Sequence, residues 1–154
     1  MSRAPAVHAH LVLGSRFENI ELAERTLLDL VAQVQCNHDE QYWIVTALRE
    51  AIANAVRHGN REQPDRKVRV DYTIEGRTVT IRVEDEGEGF DPTQVQDPTR
   101  EENLLRPNGR GIFYMQQFMR RVEFSRAPEG GTAVVMVKEL LPTSRSDANE
   151  ERDS

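Results

Sequence analysis

Glu50 and Asn54 are two polar side chains four positions apart in the middle of the chain. In an α-helix, residues at this spacing project from the same face, one turn above the other. An amide oxygen is a neutral, hard ligand that can complete an Mg²⁺ shell shared with phosphates, and a carboxylate one turn away can take a proton from an attacking hydroxyl. The same spacing is also typical of a solvated helix face opposite the core, so the pair alone leaves both interpretations open.

The segment DEGEGF, residues 85–90, places an acid and two glycines at the end of an alternating strand pattern. A carboxylate at Asp85, beside backbone without side chains at Gly87 and Gly89, is suited to binding an adenine ring. Asp and Gly are equally the ordinary residues of surface turns, so this segment alone is also ambiguous.

Further glycines lie where a long polar segment meets a predicted helix, at Gly109 and Gly111. Free amide groups and the positive end of the helix dipole are available to a phosphate there. Thr132 follows a glycine pair at a predicted hairpin, and its hydroxyl can hold an ordered water against a bound base. In chain order, these groups supply a base, a metal ligand, an adenine acceptor and a phosphate cradle.

The elements that must position these residues follow from the hydrophobic pattern. Period-two alternation predicts strands over residues 7–13, 68–74, 79–83, 122–125 and 132–137. Helical periodicity predicts one helix over 19–35, a second from an N-cap at Asp39 to His58, where Gly59 and Asn60 are residues that end helices, and a third beginning at Gly111. This order predicts an α/β (α+β) fold, a two-layer sandwich in which a mixed, mostly antiparallel sheet packs on helices. The pattern predicts a long loop over residues 90–108, which in a small domain is typical of a functional lid or of disorder.

Length and composition favour one domain over residues 1–141, followed by a disordered polar tail at 142–154. The net charge of −6 argues against a broad nucleic-acid surface, and no apolar run approaches the roughly 20 residues that cross a bilayer. Cys36 is the only cysteine, which fits a reducing cytoplasm.

The motif set as a whole resembles a known superfamily. The segments EAIANAVRHGN (50–60), DEGEGF (85–90), GRGI (109–112) and GT (131–132) are similar to the N, G1, G2 and terminal threonine motifs of the GHKL ATPases. The run GRGIFYMQQFMRRVEF (109–124) most resembles the anti-sigma-factor serine/threonine kinases. The resemblance implies the Bergerat-type ATP-binding fold, with ATP and Mg²⁺ as cofactors.

Residue by residue, the resemblance implies that Glu50 is the general base, that Asn54 is the Mg²⁺ ligand, and that Asp85 accepts a hydrogen bond from the adenine amino group. The remaining nucleotide contacts that it implies are Gly87, Gly89, Gly109, Gly111, Ile112 and Thr132. A lysine that larger superfamily members often place near the phosphates has no counterpart, and Arg110 is the residue expected to take its electrostatic role.

The function implied by the resemblance is transfer of the γ-phosphoryl group of ATP to a serine or threonine of a STAS-domain anti-anti-sigma partner. The family would also bind a sigma factor, exchange partners according to phosphorylation, and form a homodimer. Two alternatives stay open: a detached histidine-kinase catalytic domain, and a nucleotide-binding module that sequesters a regulator without turnover. No Walker A pattern and no His-Arg-Asp or Asp-Phe-Gly set is present in the sequence, so other phosphoryl-transfer frameworks fit poorly.

Overall fold

The computed structural model describes residues 6–88 and 116–141. Five strands form one sheet in the order β1-β2-β3-β5-β4, and every neighbouring pair among them is antiparallel. The strands are β1 (Val7–Gly14), β2 (Lys67–Glu75), β3 (Thr78–Glu84), β4 (Arg121–Arg126) and β5 (Thr132–Glu139). The helices are α1 (Asn19–Val31) and α2 (His38–Asn54), and α2 continues into a π-helical turn, Ala55–Gly59.

The core lies between one face of the sheet and the two helices, as the alternating pattern predicts. Along β2 the apolar side chains are buried and their neighbours are more exposed. Tyr72 is 1% exposed, and its hydroxyl donates a hydrogen bond to the carbonyl of Ala23 in α1 at 2.8 Å. Burial raises the pKa of this hydroxyl, which therefore stays a donor. The prediction of a two-layer fold is confirmed, although the described strands include no parallel pair of the kind that a mixed sheet contains.

Both predicted helix boundaries between α1 and α2 are wrong. The first helix ends at Val31 rather than at residue 35, because the amides of Gln33 and Val34 hydrogen-bond only three residues back and Gln35 has a left-handed φ of 44°. The second helix begins at His38, and its N-cap lies two residues before the predicted one. Asn37, not Asp39, is the N-cap, since its side chain accepts a hydrogen bond from the amide of Glu40 at 2.8 Å.

The predicted α-helical turn up to His58 is replaced by a wider one. The amide of Asn60 donates to the carbonyl of Ala55, five residues back, at 2.8 Å. A π turn holds one more residue than an α turn, so it changes the direction in which the following residues point. The side chain of Asn60 is fully buried, and its contacts, described below, account for this change.

Arg77, in the turn between β2 and β3, holds chain segments together at the N-terminal end of α2, opposite the π turn. Its guanidinium donates hydrogen bonds of 2.6 to 2.9 Å to the carbonyl oxygens of Val34, Gln35, Leu140 and Leu141. The buried carboxylate of Glu40 accepts from the amide of Leu141 at 3.0 and 3.1 Å. The chain after β5 is thereby held to the connection between α1 and α2.

Several expectations fall outside the described residues. These are the loop at 90–108, the start of the third helix at Gly111, and the polar tail at 142–154. Residues 116–118 are helical, and Phe118 stacks on Trp43 of α2 with ring centroids 3.8 Å apart.

Arg77→Ala should lower the free energy of unfolding by about 2 kcal/mol, because four carbonyls lose a charged donor and some are shielded from water. The measurement is urea denaturation followed by circular dichroism. Arg120→Ala is the matched control, since the partner of Arg120 among the described residues is Glu139 and both side chains are exposed, which predicts a loss below about 1 kcal/mol. Equal losses in the two variants would contradict the fastening role.

Candidate functional site

Asp85 lies directly after β3, where it is 5% exposed. Its amide donates to the carbonyl of Thr132 at 2.9 Å, which extends the pairing of β3 with β5 by one residue. Its Oδ1 accepts from the amides of Gly87 at 2.9 Å and Thr132 at 3.1 Å. No donor within residues 6–88 and 116–141 hydrogen-bonds to Oδ2. The carboxylate is therefore held by one oxygen and keeps the other as an acceptor.

Three glycines, Gly59, Gly87 and Gly131, allow backbone to approach this carboxylate from different sides; we call them the glycine triad. A Cβ atom built at Gly59 would lie 2.1 Å from Oδ2 of Asp85, and one at Gly131 would lie 1.9 Å from the Asp85 carbonyl oxygen. A Cβ atom at Gly87 would lie 2.0 Å from the carbonyl oxygen of Gly59. None of these positions accepts a side chain without displacing main chain or the acid.

Of the triad, the resemblance implies a nucleotide contact only for Gly87. The sequence pattern indicates a helix end at Gly59 and a hairpin at Gly131, and it does not predict that either glycine packs on Asp85. Their presence inside the motif segments 50–60 and 131–132 was the one signal available, and it did not say what they contact.

Burial raises the pKa of Asp85 above its ordinary value of 3.8, and the nearby charge of Glu84 acts in the same direction. The two backbone donors and Arg66 act against this shift without cancelling it. The ionised carboxylate is therefore held in an environment that disfavours it. A ligand N–H directed at Oδ2 would relieve part of that cost, so the site is suited to a hydrogen-bond donor such as an exocyclic amino group.

Glu50 and Asn54 are both partly buried on α2, one turn apart, as predicted. Asn54 is the last residue of α2, and the π turn that follows ends at Gly59, against Asp85. Among the described residues no hydrogen bond joins Glu50 or Asn54 to Asp85. The helix and the acid are connected through the π turn rather than by direct contact of these side chains.

Asn60 makes that connection, and its role was missed, since the sequence indicated only a helix-ending residue. Its amide nitrogen Nδ2 donates to Ser15 Oγ at 2.7 Å and to the carbonyl of Lys67 at 2.9 Å. Its Oδ1 accepts from the amide of Glu86 at 2.8 Å. The carboxylate of Glu86 accepts in turn from the amide of Lys67 and lies 3.4 Å from Arg69.

The other predicted contact residues, Gly89, Gly109, Arg110, Gly111 and Ile112, lie outside the described part of the chain, so they stay predictions. The described residues contain no group of three or more His, Cys, Asp or Glu side chains arranged to hold a metal ion. A single amide ligand at Asn54 fits Mg²⁺, which characteristically takes few protein ligands and completes its shell with phosphates and water.

Comparison with known proteins identifies the class that this fold and buried acid define. Residues 13–138 match the family model described as a histidine kinase-like ATPase domain. The anti-sigma F factor of Bacillus velezensis is 34% identical over 134 residues, which cover 85% of this chain and 91% of that protein. The anti-sigma F factor of Bacillus subtilis is 33% identical with the same coverage.

Two solved structures have a similar fold at low sequence identity. The structure of the RsbU and RsbW domains of a Mycobacterium tuberculosis protein has a TM-score of 0.64 at 19% identity, covering 93% of this chain and 35% of that one. A histidine kinase domain of a blue-light activated kinase from Erythrobacter litoralis has a TM-score of 0.50 at 18% identity, covering 66% of this chain and 45% of that one.

The chain belongs to the histidine kinase-like ATPase domain family and, within it, to the group that contains these anti-sigma factors. Family membership implies that the protein binds ATP. No helix in the described ranges is long and apolar enough to cross a membrane.

Gly59→Ala should weaken ATP binding about 10-fold or more, a loss of about 1.4 kcal/mol, because the methyl group would overlap Oδ2 of Asp85. Titration calorimetry measures the affinity, with circular dichroism to confirm folding. Gly14→Ala is the control, since its Cβ atom would lie 3.7 Å from the nearest atom, an ordinary contact. Wild-type affinity in folded Gly59→Ala protein would refute the packing role of the glycine triad.

Asp85→Asn should stabilise the protein without nucleotide near pH 7 while weakening ATP binding. The pKa of Asp85 is higher in the folded than in the unfolded state, so the unfolding free energy falls as pH rises between the two values. The advantage of the variant should therefore vanish below about pH 3.8, where the wild-type acid is protonated in both states. Urea denaturation at a series of pH values measures the difference in unfolding free energy between the variant and wild type. If this difference favours the variant less at pH 7 than at low pH, the predicted direction of the effect is wrong.

Proposed function

We propose that this protein is a serine/threonine kinase of the anti-sigma type, which uses Mg-ATP to phosphorylate a STAS-domain anti-anti-sigma protein in the cytoplasm. In this proposal it also binds a sigma factor, and it acts as a homodimer. The observation that carries the nucleotide part is the buried Asp85 carboxylate, held at Oδ1 by two amides and with Oδ2 lacking a donor in the described ranges.

The adenine-binding role of Asp85 rests on chemistry that distinguishes nucleobases. Adenine carries an amino group where guanine carries a carbonyl oxygen, so Oδ2 would accept a hydrogen bond from adenine and face guanine unfavourably. Thr132 and Gly87 hold the carboxylate in this orientation through their amides. Gly89 is proposed to border the base, and Gly109, Arg110, Gly111 and Ile112 are proposed to line the phosphates.

Glu50 and Asn54 are proposed to have separate roles on one face of α2. Asn54, at the end of the helix, would bind Mg²⁺ through its amide oxygen, and the ion would neutralise charge on the phosphates. Glu50, one turn earlier, would orient the acceptor hydroxyl and take its proton as the phosphoryl group is transferred. Such transfer depends mainly on positioning and charge stabilisation, so a rigid helix is a suitable carrier for both groups.

The proposed partners rest on the relatives rather than on the site. The two Bacillus proteins named anti-sigma F factor are 34% and 33% identical to this chain over 91% of their own length, which supports a sigma factor as one partner. The alternative of a detached histidine-kinase catalytic domain is supported only by similarity of fold. The other alternative, a binding module without turnover, differs from the proposal only in catalysis.

One experiment separates these three functions. The purified protein is incubated with γ-labelled ATP and candidate STAS-domain proteins, and the label is located by mass spectrometry. Label on a serine or threonine of the STAS protein is expected. Label on a histidine would support the histidine-kinase alternative, and ATP binding without transfer to any partner would support the module.

Glu50→Ala should reduce phosphorylation of the STAS partner about 10²-fold or more while leaving ATP affinity nearly unchanged, because the base acts only on the acceptor. Asn54→Ala should lose both Mg-dependent ATP affinity and transfer, because it removes a ligand of the ion. Transfer rates and calorimetry on the same preparations separate the two effects.

The matched control for Glu50 is Glu24→Ala, which also removes one carboxylate near α2. Glu24 pairs with Arg49, the residue before Glu50, so the charge change is the same but lies off the proposed catalytic face. The control should phosphorylate at the wild-type rate. A wild-type rate in Glu50→Ala as well would mean that the base is elsewhere.

A further inference from the structure

Asn60 is the fully buried point at which four segments of the chain meet. Its side chain forms hydrogen bonds with Ser15 after β1, with Lys67 at the start of β2, and with Glu86, the residue after Asp85. The hydroxyl of Ser15 continues the network to the carbonyl of Arg66 at 2.6 Å. Both N–H groups and the oxygen of the Asn60 amide are thus used.

The bond to Glu86 acts on the peptide unit that joins Asp85 to Glu86. The amide of that unit donates to Asn60 Oδ1, and its carbonyl oxygen, which belongs to Asp85, lies against Gly131. The planar peptide is therefore held at both ends. Asp85 Oδ1 also accepts a hydrogen bond from the amide of Gly87, two residues further along the chain. Rotation of the Asp85–Glu86 peptide would therefore also turn the carboxylate.

We propose that Asn60 is a positioning residue for nucleobase selection, which holds the Asp85–Glu86 peptide, and through it the Asp85 carboxylate, at a set distance from the helix carrying Asn54. This inference rests on the proposed use of Asp85 as the adenine acceptor. It adds that one buried side-chain amide, that of Asn60, sets the distance between the proposed adenine-binding group and the proposed metal ligand. The π turn directs this amide inward.

A purely structural role predicts something different. If Asn60 only filled space and stabilised the fold, its loss would lower the folded fraction and reduce binding of all nucleotides by the same factor. A positioning role changes the ratio of ATP to GTP affinity, because that ratio depends on the direction of Oδ2 and is independent of the folded fraction.

The test measures ATP and GTP affinities by calorimetry for the full chain and two variants. Asn60→Leu fills a similar volume and removes all three hydrogen bonds, so the ATP to GTP ratio should fall about 10-fold. Asn60→Asp keeps an acceptor for the Glu86 amide but loses the donors to Ser15 and Lys67, so it should be less stable yet keep its ratio within about threefold. Ser15→Ala leaves the Glu86 contact in place and should also keep the ratio.

If Asn60→Leu does not fold, the same bond can be removed from the other side. Glu86→Pro lacks the N–H that donates to Asn60, whereas Glu86→Ala loses the same carboxylate and keeps the N–H. The ratio should fall in the first variant and not in the second. A wild-type ratio in folded Asn60→Leu, or equal ratios in the Glu86 pair, would overturn the inference.

The result is also separable from failure of the proposed function. Wild-type protein that prefers ATP but phosphorylates no partner would refute the kinase proposal and leave the role of Asn60 to be decided by the ratios. Wild-type protein with equal ATP and GTP affinities would refute the adenine assignment of Asp85 and, with it, the role given to Asn60.

Discussion

The close approach of main chain to one buried carboxylate is the constraint on which this site depends. Asp85 accepts hydrogen bonds from two amides, and the glycine triad brings backbone from the π turn and the β5 hairpin to distances that no side chain would permit. The end of α2, the segment after β3 and the start of β5 therefore have little freedom to move apart. Residues far apart in the chain are thereby packed around one acid.

Burying a charged group lowers the stability of the folded protein unless hydrogen bonds compensate, and at Asp85 the compensation is incomplete. Desolvation raises the pKa of Asp85, so the ionised acid weakens the protein without nucleotide. Asn60, also fully buried, avoids such a cost because each of its polar atoms has a partner. A desolvated carboxylate beside a fully hydrogen-bonded amide is the arrangement expected where binding, rather than stability, has set the choice of residue.

The molecule has two differently organised ends, joined by α2. At the C-terminal end of α2 lies the carboxylate site, while at its N-terminal end Arg77 and Glu40 fasten the chain leaving β5. With 17 residues, α2 separates them by about 25 Å. Leu141 therefore lies at the end of the domain opposite the carboxylate site.

The sequence by itself determined the strands, the two-layer fold and the spacing of Glu50 and Asn54, because alternation and helical periodicity are local properties of the chain. It also indicated Asp85 and Gly87 through the order of the motifs. Only the tertiary structure decided where the helices end: Asn37 replaces Asp39 as the cap, and a π turn replaces the α turn before Asn60. It alone assigned Gly59 and Gly131 to the acid and Asn60 to Glu86, because these contacts join residues 26 or 46 positions apart and no local pattern encodes which partner a buried glycine or amide will meet.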